Sequence, residues 1–207
     1  DYSNHVIRKI DQAGDVSIFA GDTSGEYDFA DSDENGNGAK FHSPTGIVID
    51  SNDNIYVADM GNYCIRKIVI SLEGQSGFVT TLAGIDSSTK LPYRNQHNQT
   101  LSGFADSDND GEGARFDSPW GIAIDSNNNI YVADRYNHSI RKIDLYKVGT
   151  SDFVTTIAGL RPSSSASTNG DFSDSNNDGE GERFYQPSGI AIDSNDNLYV
   201  TDTTNHC

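Results

Sequence analysis

The sequence predicts an all-β protein built from repeated units of four short antiparallel strands. Three observations in the 207-residue chain support this prediction. Four short segments recur in the same order, each segment is rich in Ile, Val, Tyr and Thr, and clusters of Asn, Asp, Gly and Ser separate them. Short β-branched and aromatic runs bounded by turn residues are typical of strands, and no stretch shows the apolar spacing of an amphipathic helix.

The four segments follow one another in a fixed order. A proline-led segment ending in aspartate occurs at residues 44–50, 119–125 and 187–193. A segment close to Asn-Ile-Tyr-Val-Ala-Asp follows at residues 54–59, 129–134 and 197–202. The third segment ends in Ile-Arg-Lys-Ile and occupies residues 4–10, 62–68 and 137–143, and the fourth occupies residues 16–21, 79–84 and 154–159. Between the first two segments, Asp-Ser-Asn-x-Asn predicts a turn in which side chains bond to their own backbone.

A four-stranded antiparallel unit repeated around an axis is a blade of a β-propeller. The assignment gives the last two strands of a blade at residues 1–21, complete blades at residues 46–84 and 121–159, and the first two strands of a blade at residues 189–207. One blade is therefore split between the two ends of the chain. We expect about twelve strands, with those that begin at Ile47, Ile122 and Ile190 innermost. Residues 85–103 and 160–171 fit no strand pattern.

The repeated strings resemble a known family. Gly-Ile-Ala-Ile-Asp, Asn-Ile-Tyr-Val-Ala-Asp and Asn-His-x-Ile-Arg-Lys-Ile are similar to the NHL repeat, which is named for its Asn-His-Leu signature and forms β-propellers. The chain departs from the family pattern by an acidic loop inserted in every unit. The family includes ligand-binding, scaffolding and enzymatic members, so the resemblance implies the fold and leaves the function open.

The inserted loops predict calcium binding. All three loops fit Asp-x-[Asp/Asn]-x-[Asp/Asn]-Gly. Calcium takes about six to eight oxygen ligands, and carboxylates at alternate positions converge on one ion where a glycine allows a sharp turn. The expected ligands are Asp31, Asp33, Asn35, Asn37, Asp106, Asp108, Asp110, Glu112, Asp174, Asn176, Asp178 and Glu180. The alternative is a polar turn that needs no metal, because the glutamate that closes an EF-hand loop is absent.

The charge of the chain excludes one large class of partner. Fourteen basic and 31 acidic residues give a formal net charge of −17. Such a field repels nucleic-acid phosphates and attracts cations. No apolar run reaches the ~18–20 residues that span a bilayer, and the two cysteines, Cys64 and Cys207, are too few for a disulfide scaffold.

The other recurring polar residues fit structural roles. One turn position is occupied by His5, His138 and His206, and repetition there favours a structural hydrogen bond over a metal or catalytic role. In each Arg-Lys pair we expect one member to meet an aspartate such as Asp59 or Asp134 and the other to face water.

The predicted inner strands offer no nucleophile, general base or zinc ligand, so the sequence indicates a protein that is not an enzyme. Trp120 stands where the other units have Thr45 and Ser188, and a single such exchange favours packing over a ligand platform.

These observations together predict a secreted, calcium-binding structural or adhesive protein that assembles head to tail through its split blade, into a ring or a filament. The partner is then a second copy or the remaining repeats of a longer chain. Two N-glycosylation sequons, at Asn98 and Asn137, agree with an extracellular location. The alternatives are a propeller enzyme of the lyase or lactonase type and a ligand-binding ectodomain.

Overall fold

A computed structural model describes residues 1–22, 24, 30–31, 38–70, 76–84, 113–148, 150–159 and 184–204. These residues contain twelve strands: β1 (Ile7–Ile10), β2 (Val16–Ala20), β3 (Pro44–Ile49), β4 (Ile55–Asp59), β5 (Cys64–Ile70), β6 (Ser76–Ala83), β7 (Pro119–Ile124), β8 (Ile130–Asp134), β9 (Ser139–Ile143), β10 (Val154–Ala158), β11 (Pro187–Ile192) and β12 (Leu198–Asp202). The only helical elements of this described part are four 3₁₀ turns, Tyr2–Asn4, Met60–Asn62, Arg135–Asn137 and Leu145–Lys147.

The strands form four antiparallel sheets. Strands β3 to β6 make the first blade and β7 to β10 the second blade, each with sequential neighbours paired. Strands β1 and β2 form an N-terminal half-blade, and β11 and β12 form a C-terminal half-blade. The predicted fold, blades of four antiparallel strands, is confirmed. That the two half-blades belong to one divided blade stays a prediction.

The first strand of each unit starts three residues earlier than its predicted isoleucine. In the first blade Pro44 pairs with Asp59, and a bulge separates this pair from the Ile47–Val57 pair. The same irregularity occurs in the other two units. An extra residue at a bulge shifts the alternation of side chains, so the apolar pattern used to assign the strand begins only after it.

Glycines let the first strands lie against one another. Strand β7 contacts both β3 and β11, which places these strands innermost as predicted. A Cβ atom on Gly46 would lie 2.6 Å from the carbonyl oxygen of Trp120, and one on Gly121 would collide with the carbonyl oxygen of Ser188. A side chain at either position would push neighbouring blades apart.

The apolar core lies between blades. One cluster joins the first and second blades and includes the fully buried Phe116, Ile130 and Val132. A second cluster joins the N-terminal half-blade to the first blade through Ile7 and Phe41. Each blade is therefore stabilised mainly by burial against the next one.

Candidate binding site at the channel mouth

A buried ion pair anchors each complete blade. The guanidinium of Arg66 lies 3.1 Å from the carboxylate of Asp59, and that of Arg141 lies 2.9 Å from Asp134. All four side chains are fully buried. This confirms the expected pairing with an aspartate on the adjacent strand in the two complete blades, whereas Arg8 of the N-terminal half-blade pairs with Asp1, which lies outside the strands.

Further hydrogen bonds complete the anchor in the second blade. Asn137 donates its amide to Asp134 Oδ2 at 2.8 Å, and the backbone N–H of Asp117 donates to Oδ1 at 2.7 Å. Burial raises the pKa of Asp134 to about 6, because lost solvation outweighs the effect of Arg141 and these hydrogen bonds. The carboxylate remains ionised at neutral pH.

The repeated histidines connect neighbouring blades. His5 Nδ1 accepts the backbone N–H of Ser43 at 2.9 Å, and His138 Nδ1 accepts that of Gln186 at 3.1 Å. In each of the two bonds, the histidine belongs to one unit and the donor residue to the next unit along the chain. The structural hydrogen bond predicted for these two histidines is confirmed, whereas His206 lies outside the described residues. In the junction between the two complete blades, Tyr63 replaces the histidine.

The Asp-Ser-Asn turns follow the first strand of each unit, at the end away from its proline. Asp50 accepts two backbone N–H groups through Oδ1, from Asn52 and Asn54, and the Tyr56 hydroxyl through Oδ2. Burial opposes ionisation here, but the hydrogen bonds hold the pKa of Asp50 below its usual range. The expected turn-capping role is therefore seen.

The base of the first acidic loop is held by the blade anchor. Arg66 donates to the backbone oxygens of Ala30 and Lys40 at 2.7 and 3.0 Å, and to Asp31 Oδ1 at 2.9 Å. The Thr81 hydroxyl donates to the same carboxylate oxygen. Of the expected calcium ligands, only Asp31 falls within the described residues. The other eleven lie outside them: Asp33, Asn35, Asn37, Asp106, Asp108, Asp110, Glu112, Asp174, Asn176, Asp178 and Glu180.

The sequons differ in their surroundings. Asn137 is 6% exposed and its amide nitrogen donates to Asp134, so in the folded chain this side chain serves the blade anchor. Asn98 lies outside the described residues.

A cavity of about 810 Å³ opens where the first strands begin. Its lining includes Tyr2 from the N-terminal half-blade, Thr45 from β3, Trp120 from β7 and Ser188 from β11. Because these residues come from successive units, the cavity is the described part of the mouth of the central channel. Asp1 and Tyr2 supply its titratable side chains.

Trp120 has a different environment from its counterparts in the other units. Thr45 Oγ1 donates to the carbonyl oxygen of Trp120 at 2.9 Å, and Ser188 Oγ lies 3.2 Å from Thr201 Oγ1. Trp120 is half-buried and its ring lies under the Arg135 guanidinium, 4.6 Å from the ring centroid. The Tyr2 ring is 6.4 Å away.

Sequence reasoning identified the unusual position of Trp120 but missed Arg135 and Tyr2. The sequence does distinguish Arg135: it follows Asp134, an aspartate present in every unit, at a position where the other units have Met60 and Thr203. What distinguishes the site is therefore the difference between repeats.

The strand topology and the channel define a segment of a β-propeller. A family model described as NHL repeat matches residues 41–68, 116–143 and 184–207. The protein SUPPRESSOR OF QUENCHING 1, chloroplastic, of Arabidopsis thaliana is 31% identical over 166 residues, which are 80% of this chain and 13% of that protein. NHL repeat-containing protein 2 of Homo sapiens is 31% identical over 173 residues, which are 81% of this chain and 20% of that protein. The chain belongs to the NHL-repeat β-propeller family.

A solved structure supports the fold assignment. An auxiliary nutrient binding protein from Bacteroides thetaiotaomicron has a TM-score of 0.60 with 18% sequence identity, and the match covers 99% of this chain and 42% of that one. The chain spans a fifth or less of the two curated relatives. None of the helices in the described residues is long and apolar enough to cross a membrane.

Proposed function

We propose that this chain is a structural or adhesive element of an NHL propeller, and that it assembles head to tail with a second copy through its open half-blades. The observation that carries the proposal is a contrast in burial between equivalent repeat positions. Ile10 is 70% exposed, whereas its counterparts Ile68 and Ile143 are fully buried.

Other positions of the half-blades show the same contrast. The side chain of Arg8 is 40% exposed, and its counterparts in the complete blades are fully buried. Tyr199 in β12 is 60% exposed, while Tyr56 in β4 is 1% exposed. A residue pattern built for burial is thus left open on both half-blades, and open strand edges recruit further strands.

The two edges are complementary. In the first blade, β4 pairs with β5 so that Ile55 lies opposite Ile68 and Val57 opposite Arg66. The same register would place β1 of one copy against β12 of another, with Ile10 opposite Leu198 and Arg8 opposite Val200. The pairing is a strand addition that satisfies backbone groups on both edges, and it is a heterologous contact that closes into a ring or continues as a filament.

The native mass of the chain tests the assembly. We expect a concentration-dependent shift from 22.4 kDa to at least twice that mass. Ile10→Glu should keep the chain monomeric because it places a charge on the edge, whereas Tyr146→Glu, at a 78% exposed position away from the half-blades, should leave assembly unchanged. A mass of 22.4 kDa at all micromolar concentrations would overturn self-assembly and leave the edges to further blades of a longer chain.

The proposal includes calcium in the acidic loops. It is supported by the carboxylate pattern that recurs in all three loops. Calcium sites of extracellular modules bind with dissociation constants of about 10⁻⁴–10⁻³ M, which suits a secreted protein, and glycosylation at Asn98 would belong to the same setting.

Thermal unfolding tests the calcium sites. A ligand that binds the folded state raises the melting temperature by mass action, so calcium should raise it and a chelator should reverse the effect. Asp108→Ala should weaken the response, and Asp152→Asn, at an exposed aspartate paired with Lys147, should not. Equal melting temperatures with calcium and with chelator would contradict the calcium proposal.

A non-catalytic role is part of the proposal. The described first strands place apolar side chains such as Ile47 and Ile122 near the channel, and a lyase or lactonase would need acid–base or metal-binding groups there.

A further inference from the structure

We propose that Arg135 and Trp120 recognise a carboxylate-bearing ligand at the channel mouth, with a ring or apolar face of the ligand against Trp120 and Tyr2. This site is independent of the strand edges used in assembly. The expected ligands are small molecules in which a carboxylate is attached to a ring. Aromatic acids and acidic sugars both belong to this class.

The first support is that the blade fold does not require this pair. At the position of Trp120, the neighbouring units have Thr45 and Ser188, whose hydroxyls bond to adjacent strands. The second blade gives up such a hydroxyl and places a large ring at the cavity instead. At the position of Arg135 the neighbouring units have Met60 and Thr203, so a long cation is not needed there for the turn.

The second support is the state of the Arg135 guanidinium. Arg8, Arg66 and Arg141 each lie beside a carboxylate. Among the residues that the structure describes, Arg135 contacts no carboxylate, although the chain has 31 acidic residues to 14 basic ones. Within this described part, its one hydrogen bond runs from Nη2 to Gln186 Oε1 at 3.4 Å, which is longer than an ordinary N–H···O bond.

The third support is that the guanidinium is held in place by rings. Its central carbon lies 4.6 Å from the centroid of Trp120 and 5.5 Å from that of Tyr136. Stacking on an aromatic face restricts the guanidinium plane while leaving its edge donors available. Such a fork matches the geometry of a carboxylate, which accepts two parallel N–H···O bonds.

The cavity supplies the remaining part of the site. Trp120 and Tyr2 both line it, and Tyr2 is 46% exposed. Arg135 adjoins the cavity through the Trp120 ring. A carboxylate on Arg135 would therefore place the attached ring beside two aromatic side chains, which contribute apolar contact area.

Fluorescence titration of the full chain tests this site, because Trp120 is its single tryptophan. The probes are benzoate and galacturonate, each compared with its neutral counterpart, benzyl alcohol and galactose. We expect a saturable change in Trp120 emission with at least one acid, and binding about tenfold or more weaker for its neutral counterpart, since charge-assisted hydrogen bonds exceed neutral ones. The acid that responds identifies the source of the carboxylate.

Two variants attribute the effect to the guanidinium. Arg135→Met, which places there the residue that the first blade has at Met60, should weaken acid binding about tenfold or more, and Arg135→Lys should also weaken it because the fork is lost. Lys147→Met makes the same charge change away from the cavity and should bind normally. Unchanged binding by Arg135→Met, equal binding of acid and neutral probe, or no saturable response to either acid would overturn the proposal.

Discussion

Replacing Arg141 with methionine should destabilise the chain far more than the same replacement of Arg8. The two arginines occupy equivalent repeat positions and each lies 2.8–2.9 Å from an aspartate. Arg141 and Asp134 are fully buried, whereas the side chains of Arg8 and Asp1 are 40% and 27% exposed. The two substitutions therefore differ in the burial of the ion pair and in the contacts around it.

The expected magnitudes follow from that difference. Removing one partner of a buried ion pair costs about 3–5 kcal/mol, because the remaining charge stays buried and uncompensated. Arg141 also lies over the ring of Phe116 at 5.1 Å and donates to the carbonyl oxygen of Arg115 at 2.8 Å, and both contacts would be lost. An exposed pair contributes only about 0.2–1 kcal/mol, so Arg8→Met should stay within that range.

Urea unfolding followed by circular dichroism measures both losses, at a concentration where the chain is monomeric by mass. The transition midpoint should fall steeply for Arg141→Met and little for Arg8→Met, with similar slopes. The double variant Arg141→Met/Asp134→Asn should recover part of the loss, because the unpaired carboxylate is gone. Equal costs for the two single variants, or no recovery in the double variant, would show that the buried charge is not the cause.

Two further predictions concern the junctions between blades. Burial lowers the pKa of His138 below 6.5, although Asp117 and Asp202 act to raise it. As the pH falls, the unfolded chain therefore binds the proton first, and the stability present above about pH 6.5 is lost. The urea midpoint should fall between about pH 7.5 and about pH 5.5, and it should fall less in His138→Asn, whose side chain keeps an acceptor and does not titrate. Tyr63→His should stabilise the junction of the two complete blades by about 1 kcal/mol, because Tyr63 has the same left-handed backbone as the two histidines, with a φ of 55°. A lower urea midpoint for this variant would contradict the prediction.

The repeats made much of the fold predictable from the sequence. Strand order, the innermost strands, the Arg66–Asp59 pair and the interblade histidines all follow from residues that recur at fixed spacings. Such residues experience the same local physics in every unit, so three copies of a pattern determine its role better than one. The strand start at Pro44 was misplaced because the bulge before Ile47 breaks the alternation on which strand assignment depends.

The channel-mouth site was less predictable because its members are distant in sequence. Tyr2, Trp120 and Arg135 come from two units, and their approach depends on how far one blade is rotated from the next. Nothing in a strand pattern gives that rotation. The contact of Arg66 with Asp31 was missed for a similar reason, since it depends on how the inserted loop returns to its own blade.

Comparison among the repeats separates the residues that build this propeller from those available for recognition. The aspartate at Asp59, Asp134 and Asp202 accepts the same kind of backbone N–H bond in each unit, at 2.7 Å every time. A position held so constantly by the fold has little freedom to acquire a ligand. The residue that directly follows this aspartate carries no such bond and changes from methionine to arginine to threonine. Because this position differs between the units while the aspartate before it does not, we expect a change there to affect binding more than folding.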